Sequence, residues 1–121
     1  MAELSVQIFG HERDQATRAA IRFFKERRVA IHLVDVTRKP IARGELRRFV
    51  ERFGARALLD EGSKPYRDGG LGYLRMEDAE IVERLLADSS LLRLPLVRFG
   101  NDVAAGRDEA AWKRWFTRGG S

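Results

Sequence analysis

Residues 6–24, VQIFGHERDQATRAAIRFF, read as a strand, a tight turn and a helix. Leu4 to Phe9 alternates, with Leu4, Val6 and Ile8 on one face and Gln7 and Phe9 on the other. The turn holds Gly10, His11, Glu12, Arg13 and Asp14. Asp14 is the expected N-cap, its carboxylate accepting from N–H groups two and three residues on. The helix runs to about Arg28 and places Ala16, Ala20, Phe23 and Phe24 on one apolar face. A helix start aims its unsatisfied backbone N–H groups at whatever occupies the turn before it. The turn is therefore the first place to look for chemistry.

Outward from this stretch, Val29 to Val36 reads as a second strand. Ala30, His32, Val34 and Val36 alternate with Ile31, Leu33 and Asp35, and both faces are largely apolar. The pattern predicts a parallel strand covered on both sides, closing a βαβ unit. Beyond Pro40, a helix is expected near Ala42 to Phe53, with Ala42, Leu46, Phe49, Val50 and Phe53 on one face and a stop at Gly54. A short helical piece at Arg56 to Leu59 leads into DEGSKPYRDGGLG (60–72), read as loop from its Gly and Pro content. A further amphipathic helix spans about Glu77 to Ala87. No polar linker flanks residues 40 to 92, so they read as a helical insertion within one domain spanning 1–118.

The chain closes with LRLPLVRFGNDVAAGRDEAAWKRWF, residues 92–116. Leu94 to Phe99 and Asp102 to Ala105 form a hairpin about Gly100-Asn101-Asp102. Gly106 breaks the return strand, and Asp108 or Glu109 starts a last helix. Ala111, Trp112, Trp115 and Phe116 make its apolar stripe; residues 119–121 read as a flexible tail. The fold class is α/β: βαβ, a helical insertion, then ββα, a thioredoxin-like mixed four-stranded sheet flanked by helices.

The bulk numbers narrow the function. The chain has 121 residues, 44% of them hydrophobic, enough for a core without staples. It has no cysteine, which excludes disulfides, thiolate metal sites and thiol nucleophiles. The net charge is +5, but 23 basic residues are mixed with 18 acidic ones, so direct nucleic-acid binding is not expected. No run approaches the ~18 apolar residues of a membrane span, and Val6 to Phe9 is too short for a secretory h-region. A soluble cytoplasmic protein is expected.

Four blocks carry a resemblance: VQIFGHERDQATRAA, ARALLDEGSKPYRD, LLRLPLVRFG and GRDEAAWKRWF. In this order and spacing they resemble the arsenate reductase (ArsC)/Spx/YffB family of small thioredoxin-fold proteins, over Leu4 to about Phe116. The family's reductases carry a cysteine in the opening loop, one turn before an arginine. The resemblance puts Asp14 at the cysteine position and Arg18 at the arginine position. A carboxylate cannot form the covalent thiol adduct that arsenate reduction requires.

The resemblance also implies an oxyanion site built from several arginines. One such position is Asp60 here. Another is Leu94, with Arg93 displaced by one residue, and a third is Arg107. Asp14 and Asp60 beside one pocket would repel an oxyanion by on the order of 3–4 kcal/mol each. By resemblance Pro95 has a cis peptide bond and shapes a groove facing the opening loop. The candidate ligand or partner groove is therefore His11, Asp14, Arg18, Arg93, Pro95 and Arg107, with no catalytic residue expected.

The residues themselves favour modest roles. Asp14 is read as a helix cap, Arg18 as its i, i+4 ion partner, and His11 as a solvated loop residue. His11, Glu12 and Asp14 on one short turn make a poor ligand set and His32 is remote, so neither a metal nor a cofactor is expected. Arg22, Arg27, Arg28, Arg43, Arg47 and Arg48 read as solvated helix faces. The expected function is a non-catalytic binding or regulatory module with a protein partner. One alternative is a glutathione-linked arsenate reductase-like oxidoreductase with an altered site. The other is an Spx-like regulator that binds RNA polymerase, using Gly54 and the Arg43, Arg47 and Arg48 face; the Cys-x-x-Cys positions of such a sensor fall on Asp14 and Thr17.

Overall fold

The computed structural model describes residues 4–119. In chain order its main elements are β1 (Ser5–Gly10), α1 (Gln15–Glu26), β2 (Ala30–Asp35), α2 (Arg43–Phe53), α3 (Lys64–Asp68), α4 (Asp78–Ala87), β3 (Leu96–Phe99), β4 (Asp102–Ala105) and α5 (Glu109–Gly119). Single 3-10 turns lie at Arg56–Leu58, Leu71–Tyr73 and Ser89–Leu91. The chain forms two compact units, one of residues up to Asp35 with those from Leu94 onward, the other Val36–Arg93. Gly120 and Ser121 of the expected tail lie outside the described residues.

The first unit holds a four-stranded sheet in the order β2-β1-β3-β4. β1 and β2 are parallel and joined through α1; the other two pairs are antiparallel. This is the expected thioredoxin-like mixed sheet flanked by helices. Period-two alternation turns Val6, Ile8, Val97 and Ala104 to one face. There they join Ala20, Phe23 and Phe24 of α1 and Ala111, Trp112 and Trp115 of α5 in one buried cluster. The aromatic rings interlock: Phe23 and Trp112 have centroids 5.4 Å apart, and Phe99 stacks on Trp115 at 5.8 Å. Both tryptophans of the predicted stripe are therefore core residues.

Three local endings follow from local chemistry. α1 closes in a Schellman arrangement: Val29 N–H reaches the Phe24 carbonyl and Arg28 N–H the Lys25 carbonyl. This forces Arg28 to a φ of 58°, the left-handed region that glycine normally occupies. The β3–β4 hairpin turns on Gly100, also at positive φ. At α5, Asp108 accepts from Ala111 N–H at 3.0 Å, which chooses Asp108 over Glu109 as the cap.

Two expectations are corrected. β2 is not covered on both sides. It lies at the edge of the sheet, no residue in it is buried, and His32 is exposed. An apolar run shows hydrophobic content but does not reveal which strand will be outermost. The stretch 60–72 is not all loop either. Ser63 caps α3 by accepting from Tyr66 N–H, and Pro65 sits in its first turn, where a missing N–H costs nothing. Pro65 starts a helix here rather than breaking one.

The second unit is mainly helical. α2 buries Leu46 and Phe49; α4 buries Ile81 and Leu85. Its one extended pairing is a bridge between Leu59 and Leu92. Arg43 binds the Glu83 carboxylate with both terminal nitrogens. Those hydrogen bonds, more than the charge itself, hold the Glu83 carboxyl below its ordinary range.

Candidate functional site

The sheet register assembles the candidate site within the first unit. Phe9 pairs with Leu96, and Leu96 with Ala105. Gly10, Pro95 and Gly106, each next to one of these three residues, therefore share one end of the sheet. The Leu94–Pro95 peptide is cis, as the resemblance implied, and Pro95 is buried. Its carbonyl accepts from Gly106 N–H at 2.9 Å, tying the approach to β3 to the exit from β4.

The opening turn is built around Asp14. Its backbone N–H closes the turn onto the His11 carbonyl at 3.1 Å. Its carboxylate accepts from both Thr17 groups, the backbone N–H at 2.8 Å and the hydroxyl at 2.7 Å. The N-cap reading holds, and the helix start is occupied by the chain's own carboxylate. Thr17 is the one fully buried polar residue among the described residues, and its hydroxyl is committed as a donor. A side chain so placed meets no substrate.

Gly10 completes the packing. A Cβ added there would lie 2.3 Å from the Thr17 hydroxyl oxygen and 2.8 Å from its methyl carbon. Sequence reasoning missed this contact. The signal was present as Asp-x-x-Thr, a polar residue three positions after the cap, but the fit against Gly10 crosses seven positions and follows no periodic rule.

The other predicted residues fall as follows. Arg18 does not pair with Asp14; its guanidinium donates to the Glu12 carbonyl at 3.3 Å. Thr17 already holds the carboxylate, so the i, i+4 partner turns back to the loop. Arg107, just after Gly106, is engaged by Glu109, with two nitrogens at 2.8 Å from one carboxylate oxygen. His11 is not a freely solvated loop residue. It is half-buried, and its Nδ1 is buried without a hydrogen-bond partner. Glu12 and Arg13 are exposed. Among the described residues, no three His, Asp or Glu side chains gather as a metal site.

Arg93 belongs to the second unit. Its N–H bonds the Leu58 carbonyl at 2.8 Å and its side chain is exposed. With Arg56, Ala57, Leu59, Asp60 and Glu61 it lines an open cavity of ≈ 370 Å³. Asp60 is turned locally, accepting from Gly62 N–H at 3.0 Å. Arg56 is a neighbour that the sequence reading did not single out. The cavity pairs two arginines with two carboxylates, so it has no net formal charge.

Comparison with known proteins fits this geometry. A model of the ArsC family matches residues 9–115. No curated protein matches the sequence. Among solved structures, a YffB protein superposes with a TM-score of 0.82 at 21% identity, covering 91% of this chain and 97% of its own. An arsenate reductase from Vibrio cholerae gives 0.82 at 18%, covering 93% and 98%. An arsenate reductase (ArsC) related protein from Brucella melitensis gives 0.68 at 18%, covering 96% and 98%. At these identities the superpositions speak to fold, while the family match spans most of the chain. This chain, with its thioredoxin-like sheet and Asp14-capped opening turn, is a cysteine-less member of the ArsC family.

Proposed function

We propose that this protein is a non-catalytic binding or regulatory module acting on a protein partner in the cytoplasm. One observation carries the reading: in a chain without cysteine, the Asp14 carboxylate caps α1 through both Thr17 groups. Attack on an arsenic or sulfur centre needs a thiolate that can form and then release a covalent bond. A carboxylate held as a helix cap offers neither the nucleophilicity nor the redox step. The opening turn keeps its shape, and the residues around Pro95 are the natural place for a partner backbone. No helix among the described residues is long and apolar enough to cross a membrane, which fits this reading.

The first test is arsenate reduction with glutathione and glutaredoxin present. The expected result is no turnover above background; clear turnover favours the altered-oxidoreductase alternative and sinks this one. Asp14→Cys then asks whether the thiol alone is missing. With Asp60 and Leu94 at arginine positions and Arg107 bound to Glu109, that variant is expected to stay inactive. Efficient reduction by it would mean the oxyanion site is intact. A pull-down that recovers the RNA polymerase α subunit would narrow the module to an Spx-like regulator.

A further inference from the structure

The outer edge of β2 takes no part in the opening turn. In the ladder with β1, Ala30 N–H donates to the Leu4 carbonyl at 2.9 Å. Successive residues of a strand turn their N–H and C=O groups to opposite edges. Ala30, His32 and Val34 therefore face β1, while Ile31 and Leu33 offer their main-chain groups outward. Among the described residues, no hydrogen bond from outside the sheet reaches Ile31 or Leu33. Edge strands are normally shielded by proline, lysine, a bulge or shortness. β2 has none of these: it is the six residues AIHLVD, in unbroken register with β1.

The side chains beside this edge suit an extended strand with negative charge. Ile31 and Leu33 lie in register with Val6 and Ile8, on the face that α1 covers. With Ile21 of α1 they form a half-buried aliphatic margin to the core cluster. α1 adds charge above them. Arg22 and Lys25 are exposed, as is Arg28 just past the helix end, and no carboxylate among the described residues pairs with any of the three. Arg27 is held by the ring and carbonyl of Phe23. Glu26 is the one acidic residue in α1. Other cations are answered within the chain, Arg43 by Glu83, Lys64 by Asp68 and Arg84 by Glu80. On the opposite face of the sheet His32 stands in one row with Gln7 and Arg98, whose side chains hydrogen-bond one another.

The geometry points to the β2 edge as the docking site for an extended acidic segment of a partner protein, which adds to the four-stranded sheet as a further strand. Main-chain hydrogen bonds to Ile31 and Leu33 hold the segment. Its aliphatic side chains cover Ile21, Ile31 and Leu33, and its carboxylates answer the cations of α1. A second copy of this chain fits less well. Antiparallel pairing of two β2 strands keeps both α1 helices on one face of the joined sheet, which sets like charge beside like charge. The inference stands whether or not the opening turn is catalytic.

The probe is a synthetic peptide of alternating glutamate and valine, followed by amide hydrogen exchange of the ¹⁵N-labelled protein near neutral pH. Saturable binding is expected, slowing exchange at Ile31 and Leu33 at least about tenfold. Ala30 and His32, whose amides β1 already holds, should change little. A lysine–valine peptide should not bind. Nor should the acidic peptide with two adjacent central amides N-methylated, which cannot form the ladder. Reversing exposed charges with Arg22→Glu and Lys25→Glu together should weaken binding at least about tenfold. No binding, equal binding of the lysine or N-methylated peptide, or unaltered affinity in the folded double variant overturns the proposal. Protection of Ile31 and Leu33 that rises with protein concentration alone assigns the edge to a second copy and overturns the acidic segment.

Discussion

At the scale of single residues, the opening turn depends on two side chains and the lack of a third. Asp14 satisfies one N–H group that the helix start leaves open, that of Thr17, a role usually worth about 1 kcal/mol. Thr17 fills the space beside Gly10 so closely that a single methyl group there has no room. Gly10→Ala should therefore destabilise the protein by about 1–3 kcal/mol, the usual range for overpacking. In a Thr17→Ala background both of the closest atoms are gone, and the nearest remaining contact is the residue-17 Cβ at 3.1 Å. The alanine at position 10 should cost at least about 1 kcal/mol less there. Urea unfolding of the four proteins in the cycle measures this, and an undiminished cost would show that the Thr17 side chain is not the obstacle. Asp14 was legible in the sequence because a cap is a local event. Its second bond, to the Thr17 hydroxyl in place of an ion pair with Arg18, was not, because several residues competed for one carboxylate and packing chose between them.

At the scale of elements, boundaries followed local signals closely. α2 stops at Gly54, at a φ of 84°, as glycine at that position implied. The clearest departure is the end of α1, where the Schellman hydrogen bonds demand a left-handed residue and the sequence supplies Arg28. A side chain there costs roughly 1–2 kcal/mol, partly offset in glycine's case by greater freedom when unfolded. Arg28→Gly should thus gain about 0.5–1 kcal/mol in chemical denaturation, while Arg28→Ala should gain nothing. Equal effects of the two would assign the change to lost charge rather than to backbone strain. α3 shows why composition misleads at this scale. A Gly- and Pro-rich stretch reads as loop, yet Ser63-Lys64-Pro65 is a cap followed by proline in the first turn, an order that favours a helix start.

At the scale of the whole molecule, we propose that the two compact units unfold as one domain. Val36–Arg93 is roughly 60 residues, short helices with one bridge, a size at which an isolated core is marginal. Both tryptophans lie in the first unit, so their fluorescence reports on it, whereas far-UV circular dichroism reports on helices in both. The two unfolding curves should coincide; two separated midpoints would show independent domains. Much of the fold was legible beforehand, because hydrophobic period, cap residues and turn glycines act over a few neighbouring positions. The absence of thiol chemistry was legible too, since no folding can create a cysteine. Tertiary structure alone decided that β2 would be an edge strand, that Arg107 would bind Glu109, that Thr17 would close against Gly10, and that Gln7, His32 and Arg98 would stand in one row. Those outcomes depend on strand order and register, which join residues tens of positions apart. A linear pattern records which residues can pair, but only the folded sheet brings particular ones within reach.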